Sequence, residues 1–455
     1  MSARIVFAGL IALLIPSLVL AQGEAETLVP EIATTLPVRP GVDAFAEHPA
    51  LPDLFSGSAS DWPARRAEWR ALLEYYATGH APAAPAGVTG KVLKSSTVLE
   101  GAATYQLVRL EFGPDAEHRI GFDIAIFIPA EAKGSVPVVI FPSFDPTPGG
   151  SLGPRLPRPP GQGKGINALL PVANLPAAIP VLPPADLGVP SPETVAARHR
   201  ELLARGYALV TYDYQQTGED TTLRLPDGSW AFRTTGFFPA YPGCDWGLVA
   251  AWAWGMSRVA DYVLAQPFAD PARLIVTGHS RLGKATLVAG AYDPRFALVA
   301  PTGTGGGGSG AYRFSGAGRG GKEGLDEMMH KYPNWFSPHL HQFRGHVDRL
   351  PFDQHAFIAL VAPRAFIALE GTKDGVALPS AVSAALLGAR AVFSLLGVED
   401  QIGANYAEHN HQYAPDDWRA LLDFADWRLR GRDCGRRFPL VPPASPLTDV
   451  ARPGL

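Results

Sequence analysis

The sequence predicts an α/β fold: a mostly parallel central sheet with helices on both faces, packed as a three-layer sandwich. Two observations carry that expectation. Continuous apolar runs such as SVPVVIFPSF (135–144) and YALVTYDY (207–214) have the character of strands buried on both faces. Such runs alternate along the chain with stretches of helical periodicity, which is how parallel sheets are connected. Composition agrees: of 455 residues, 47% are hydrophobic and 18% charged, which excludes wholesale disorder. The 48 glycines and 44 prolines point to long ordered loops around a core rather than a helical bundle. A net charge of −4 offers no electrostatic footprint for nucleic acid or an anionic membrane.

In chain order, residues 1–21 are expected to be a signal peptide. Arg4 supplies the positive start, Ile5 to Ile15 is apolar but short for a membrane span, and Val19-Leu20-Ala21 suits a signal peptidase. The protein is therefore expected to be secreted or periplasmic. Residues 22–60 form an N-terminal arm, 61–432 the main domain and 433–455 a C-terminal tail. Within the domain, Trp62, Trp69, Leu72 and Tyr76 share a helical face. KVLKSSTVL, ATYQLVRLEF and IGFDIAIFIP, between residues 90 and 131, alternate like antiparallel strands. Residues 145–192, dense in Pro and Gly, are taken as a loop inserted at the C-terminal end of a buried strand, where α/β folds place binding surfaces. A helix over 193–204, a strand over 207–214 and an amphipathic helix over 246–264 follow. Strands are then expected at 272–280, 296–303, 363–371 and, from ARAVFSLLG, at 389–397, before a last helix over 416–429.

Gly278-His279-Ser280-Arg281-Leu282-Gly283 stands where a buried strand runs directly into a helix. A serine at such a corner, flanked by small residues, is held out of the sheet edge beside a helix N-terminus, as a nucleophile requires. The second glycine arrives one position later than in G-x-S-x-G, and a serine before a helix is also a common N-cap. Chain order favours the nucleophile. α/β hydrolases place the acid after a later strand and the histidine later still. Asp374 follows a strand in the turn GTKDG, and His411 lies in EHNHQY before the last helix, with His409 as competitor.

GAGRGGK (316–322) imitates a phosphate loop, but Glu323 replaces the required Ser or Thr and no strand precedes it. His339, His341, His346 and His355 lack a carboxylate at ligand spacing and are taken as loop and packing residues. Cys244 and Cys434 are equally readable as a disulfide or as two free thiols.

CDWGLVAAWAWGMSRVADYV, GHSRLGKATLVAGAYDPRFALV, YPNWFSP, LPFDQHAFIALVAPR and DDWRALLDFADWRL occur in that order. Together they resemble the bacterial glucuronoyl esterases, secreted α/β-hydrolase carbohydrate esterases that cleave esters between (4-O-methyl-)glucuronic acid branches of xylan and lignin alcohols. The resemblance spans about residues 60–430. It implies Ser280 as nucleophile, His411 as base and Arg281 as an oxyanion stabiliser, with Lys284, Glu323 and Trp335 on the sugar. It also shows a departure. Where many members have a catalytic Glu, the segment GTGGGGSGAYR places Gly303, so the acid role falls to Asp374. The expected partner is a glucuronoxylan or glucuronate ester, handled by a monomer with no metal or cofactor. Deacetylation of xylan or small esters, or an inactive carbohydrate-binding relative, are the competing expectations.

Overall fold

The computed structural model describes residues 38–144 and 192–442. The expected signal segment, residues 22–37 of the expected arm, nearly all of the 145–192 insertion and residues 443–455 lie outside the described residues. The first helix, α1 (Trp62–Leu73), ends in a single π turn, Glu74–Thr78. Three strands follow: β1 (Thr89–Val98), β2 (Ala103–Phe112) and β3 (Ile120–Pro129). The alternating part comprises β4 (Val136–Ser143), α2 (Pro192–Ala204), β5 (Ala208–Asp213), α3 (Leu248–Val263), β6 (Ala269–His279), α4 (Arg281–Tyr292) and β7 (Phe296–Thr302). It continues through α5 (Leu325–Lys331), α6 (Gln354–Val361), β8 (Ala365–Gly371), α7 (Pro379–Leu395), β9 (Ile402–Ala407) and α8 (Pro415–Arg430).

The nine strands form one sheet in the order β1-β2-β3-β5-β4-β6-β7-β8-β9. β1 to β3 pair antiparallel, and β3 meets β5 antiparallel. Every pairing from β5 through β4 to β9 is parallel. Because side chains alternate across a strand, β4 sends Val138 and Ile140 to one face and Val139 and Phe141 to the other. The first face packs on α1, α3, α4 and α6, and the second on α2 and α8. Burial on both faces is why these strands are apolar throughout.

One expected strand is a helix. ARAVFSLLG belongs to α7, whose buried Ala385, Leu386, Ala389, Val392 and Phe393 recur at three- and four-residue spacing. That is a helical stripe, and a nine-residue window starting at Ala389 is too short to separate it from a strand. The last strand is instead IGANYA, residues 402–407. Its Gly403, Ala404 and Asn405 give little strand propensity. Pairing with β8 decides its conformation.

The parallel register puts the C-terminal ends of β6, β8 and β9 along one edge of the sheet. Ser280, Asp374 and His411 all follow those ends.

Candidate active site

Ser280 sits between the last residue of β6 and the first of α4 with φ 57° and ψ −123°. For a residue with a Cβ that backbone is costly, of order 1–3 kcal/mol, and the surroundings must hold it. The Ser280 N–H donates to Thr302 O at 2.9 Å, and its carbonyl accepts the Lys284 N–H at 3.0 Å, closing the first turn of α4. The flanking glycines make that turn sterically possible. A Cβ on Gly278 would fall 2.6 Å from Leu282 O, and one on Gly283 would fall 2.5 Å from Thr304 Cγ2.

Ser280 Oγ lies 2.9 Å from His411 Nε2, and His411 Nδ1 lies 2.7 Å from Asp374 Oδ2. The other carboxylate oxygen, Oδ1, accepts the N–H groups of Val376 at 2.7 Å and Ala377 at 3.0 Å. Burial alone would raise the Asp374 carboxyl. The hydrogen bond and charge of His411, with the two backbone donors, outweigh it and hold the group below the usual carboxylate range. Asp374 is thus kept ionised and can fix the His411 tautomer with the proton on Nδ1, leaving Nε2 to accept from the serine.

The competitor histidine has a different partner. His409 Nε2 is 3.0 Å from Asp417 Oδ2, on a carboxylate fully buried at the start of α8. His409 Nδ1 lies 2.7 Å from Asn410 O. His279, next to Ser280, packs its ring 4.7 Å from that of His411. Burial, and then the neighbouring His411, lower His279 to about 3, so it stays neutral beside His411. Glu370, at the end of β8, is fully buried. Burial and then the charges of Asp374 and Asp417 push it well above the carboxylate range, which leaves Asp374 as the ionised acid.

Beside the serine, the Arg281 guanidinium pairs with Asp220 Oδ2 and lies 5.1 Å from the centre of the Trp335 ring. Asp220 Oδ1 accepts the Trp335 indole N–H at 2.9 Å, and Tyr214 donates its hydroxyl to Oδ2 at 3.2 Å. Tyr332 stacks on Trp335 with ring centres 3.8 Å apart. One turn along α4, Lys284 Nζ donates to Glu323 Oε2 at 2.8 Å and to Thr304 O. The lysine side chain is 1% exposed and the glutamate 11%.

Residues 179–397 match the family described as glucuronyl esterase, fungi. Over 399 residues the chain is 29% identical to the carbohydrate esterase MZ0003 of an unknown prokaryotic organism, covering 82% of this chain and 87% of that one. It is 26% identical over 423 residues to 4-O-methyl-glucuronoyl methylesterase 1 of Wolfiporia cocos, covering 90% of this chain and 86% of the relative. The solved glucuronoyl esterase from Solibacter usitatus superposes with a TM-score of 0.67 at 26% identity, covering 87% of this chain and 99% of that one. Over its central part and across most of its length the chain is similar to the glucuronoyl esterases. It has the α/β-hydrolase fold, and its serine–histidine–carboxylate chain is that of a carboxylic ester hydrolase.

Gly303 directly follows β7 with φ 53°, and a Cβ there would lie 3.1 Å from His279 Cε1. The sequence reading missed Asp220, whose one signal was its position after β5, where loops at a parallel strand's C-terminal end approach the site. The four grouped histidines do not converge. His341 Nε2 meets Pro333 O and His355 Nε2 meets Pro52 O, both at 2.8 Å, while His339 stacks on Tyr75. Among the described residues no group of His, Cys, Asp and Glu is arranged to hold a metal, and Cys244 and Cys434 are unpaired. No helix among the described residues is long and apolar enough to cross a membrane.

Proposed function

We propose that this enzyme hydrolyses esters of (4-O-methyl-)glucuronic acid, such as those joining glucuronoxylan to lignin alcohols, through a serine-bound acyl intermediate. The hydrogen-bonded chain from Ser280 through His411 to Asp374 carries the reading. His411 takes the Ser280 proton as Oγ attacks the uronoyl carbonyl, and Asp374 stabilises the imidazolium. The oxyanion is met by the backbone N–H of Arg281, left free in the first turn of α4, and by its guanidinium. His411 then returns the proton to the departing alcohol. Water, deprotonated by the same histidine, releases free glucuronate.

Lys284, Glu323 and Trp335 form the sugar side. With Lys284 enclosed, the Glu323 carboxylate is the member of the pair with surface left for a sugar hydroxyl, and the lysine holds it in place. The Wolfiporia cocos relative, by its name a 4-O-methyl-glucuronoyl methylesterase, supports the uronate as the acyl part. The composition of residues 1–21 supports export. The test compares benzyl glucuronate with a simple acetyl ester on the purified protein. A marked preference for the glucuronate is expected; a preference for acetate would transfer the enzyme to deacetylation.

A further inference from the structure

The loop after β5 delivers one carboxylate to three side chains of the site. Its path is fixed from both sides. Trp252 Nε1 on α3 donates to Gly218 O at 2.9 Å, and Asn334 Nδ2 donates to Thr221 O at 2.6 Å. Between those anchors stands Asp220, whose side chain is 8% exposed. Its Oδ2 takes the Arg281 guanidinium and the Tyr214 hydroxyl, and its Oδ1 takes the Trp335 indole N–H. No atom of Asp220 is needed for bond cleavage. Both groups it holds belong to the proposed mechanism: Arg281 at the oxyanion and Trp335 at the sugar.

We infer that Asp220 is a positioning residue that locks the Arg281 guanidinium and the Trp335 indole into one rigid unit, joining the oxyanion donor to the sugar platform. An arginine side chain has four rotatable bonds, and an unrestrained guanidinium beside Ser280 would spend most of its time away from the oxyanion. Oriented donors stabilise a transition state because no reorganisation is needed when the charge appears. One carboxylate with its oxygens shared between the two groups supplies that orientation for both. This inference rests on Arg281 acting at the oxyanion, and not on which ester is the substrate.

The test measures kcat and KM for Asp220→Asn, Arg281→Ala and the double variant in the full chain, on benzyl glucuronate and on 4-nitrophenyl acetate. Asparagine keeps the volume and one acceptor but loses the charge. Asp220→Asn is expected to lower kcat about 10- to 100-fold on whichever ester the wild type turns over, somewhat less than the outright loss of an oxyanion donor. KM for benzyl glucuronate is expected to rise as Trp335 loses its restraint. In the Arg281→Ala background the same substitution should cost no more than about threefold in kcat, because residues acting through one another are not additive. Equal fold losses in the two backgrounds, or an unchanged kcat in Asp220→Asn, would overturn the proposal. So would an Asp220→Asn chain that no longer folds, since Asp220 would then be a structural residue. A wild type that cleaves only the acetate sinks the glucuronate reading and leaves Asp220 to be judged on the acetate.

Discussion

Gly303 and Asp374 converge on the same edge of His411. A Cβ built on Gly303 would lie 3.5 Å from Asp374 Oδ2, the oxygen that is 2.7 Å from His411 Nδ1. A carboxylate arising from either position can therefore reach one histidine, although the two follow different strands, β7 and β8. The glycine's φ of 53° and the His279 ring beside it make position 303 expensive for a larger residue here.

Asp374→Asn is expected to lower turnover of benzyl glucuronate by about four orders of magnitude, the cost of a wrongly held tautomer in a comparable triad. Adding Gly303→Glu to that variant should restore part of the loss, while Gly303→Glu alone should lower the melting temperature without raising activity. Steady-state kcat decides it. Activity within tenfold of wild type in Asp374→Asn would mean the enzyme works as a dyad.

Ser280→Ala should abolish ester hydrolysis and leave the unfolding midpoint close to wild type or higher. The serine makes no side-chain cap on α4, so the change removes the nucleophile without removing a cap. Near-normal turnover by a pure preparation would remove the nucleophile assignment.

His411→Ala should cripple turnover, whereas His409→Ala should act on stability. Burial opposes the charge on His409, but the hydrogen bond and charge of Asp417 prevail, so its folded pKa is raised. A raised folded value means that the contribution is complete below the unfolded pKa of about 6.5 and fades as pH rises through the folded value. Urea midpoints of wild type and His409→Ala should therefore differ at pH 5.5 and draw together by pH 9. A gap that widens with pH would contradict the pairing, and loss of turnover in His409→Ala alone would move the base two residues earlier.

Lys284→Ala leaves the Glu323 carboxylate without its ammonium, and breaking a buried pair in this way costs about 3–5 kcal/mol. Denaturant titration should show that loss, and kcat/KM should fall on benzyl glucuronate more than on the acetate. Lys284→Met combined with Glu323→Gln should recover most of the stability without recovering glucuronate turnover. A double variant that regains glucuronate turnover would assign both residues to the scaffold alone.

Much of this architecture was legible from local pattern. Buried parallel strands are apolar at every position, so β4, β5, β6, β7 and β8 were marked by composition alone. The serine elbow was marked because a strand, a tight turn and a helix had to meet within six residues, which demands glycine where the backbones touch. The strand at β9 was not legible, since Ile402–Ala407 gains its conformation from β8 and not from its own residues. The neighbouring α7 was misread for the opposite reason, an apolar stripe sampled through too short a window.

The sequence by itself determined the fold class, the corner on which Ser280 stands and the order in which Ser280, Asp374 and His411 follow one another. Those features depend on residues close together in the chain, where periodicity and turn chemistry act. Local pattern left His409 and His411 both open, and tertiary structure shows which of them meets the serine, a contact spanning 131 residues, and which carboxylate holds Arg281, a contact spanning 61. His409 and His411 are near-identical to any local rule, yet one faces Asp417 and the other Asp374 because sheet order sets β8, β9 and α8 around them. Strand order and the register of parallel crossovers leave no periodic trace in the chain, so the partners they bring together are found only when the sheet is assembled.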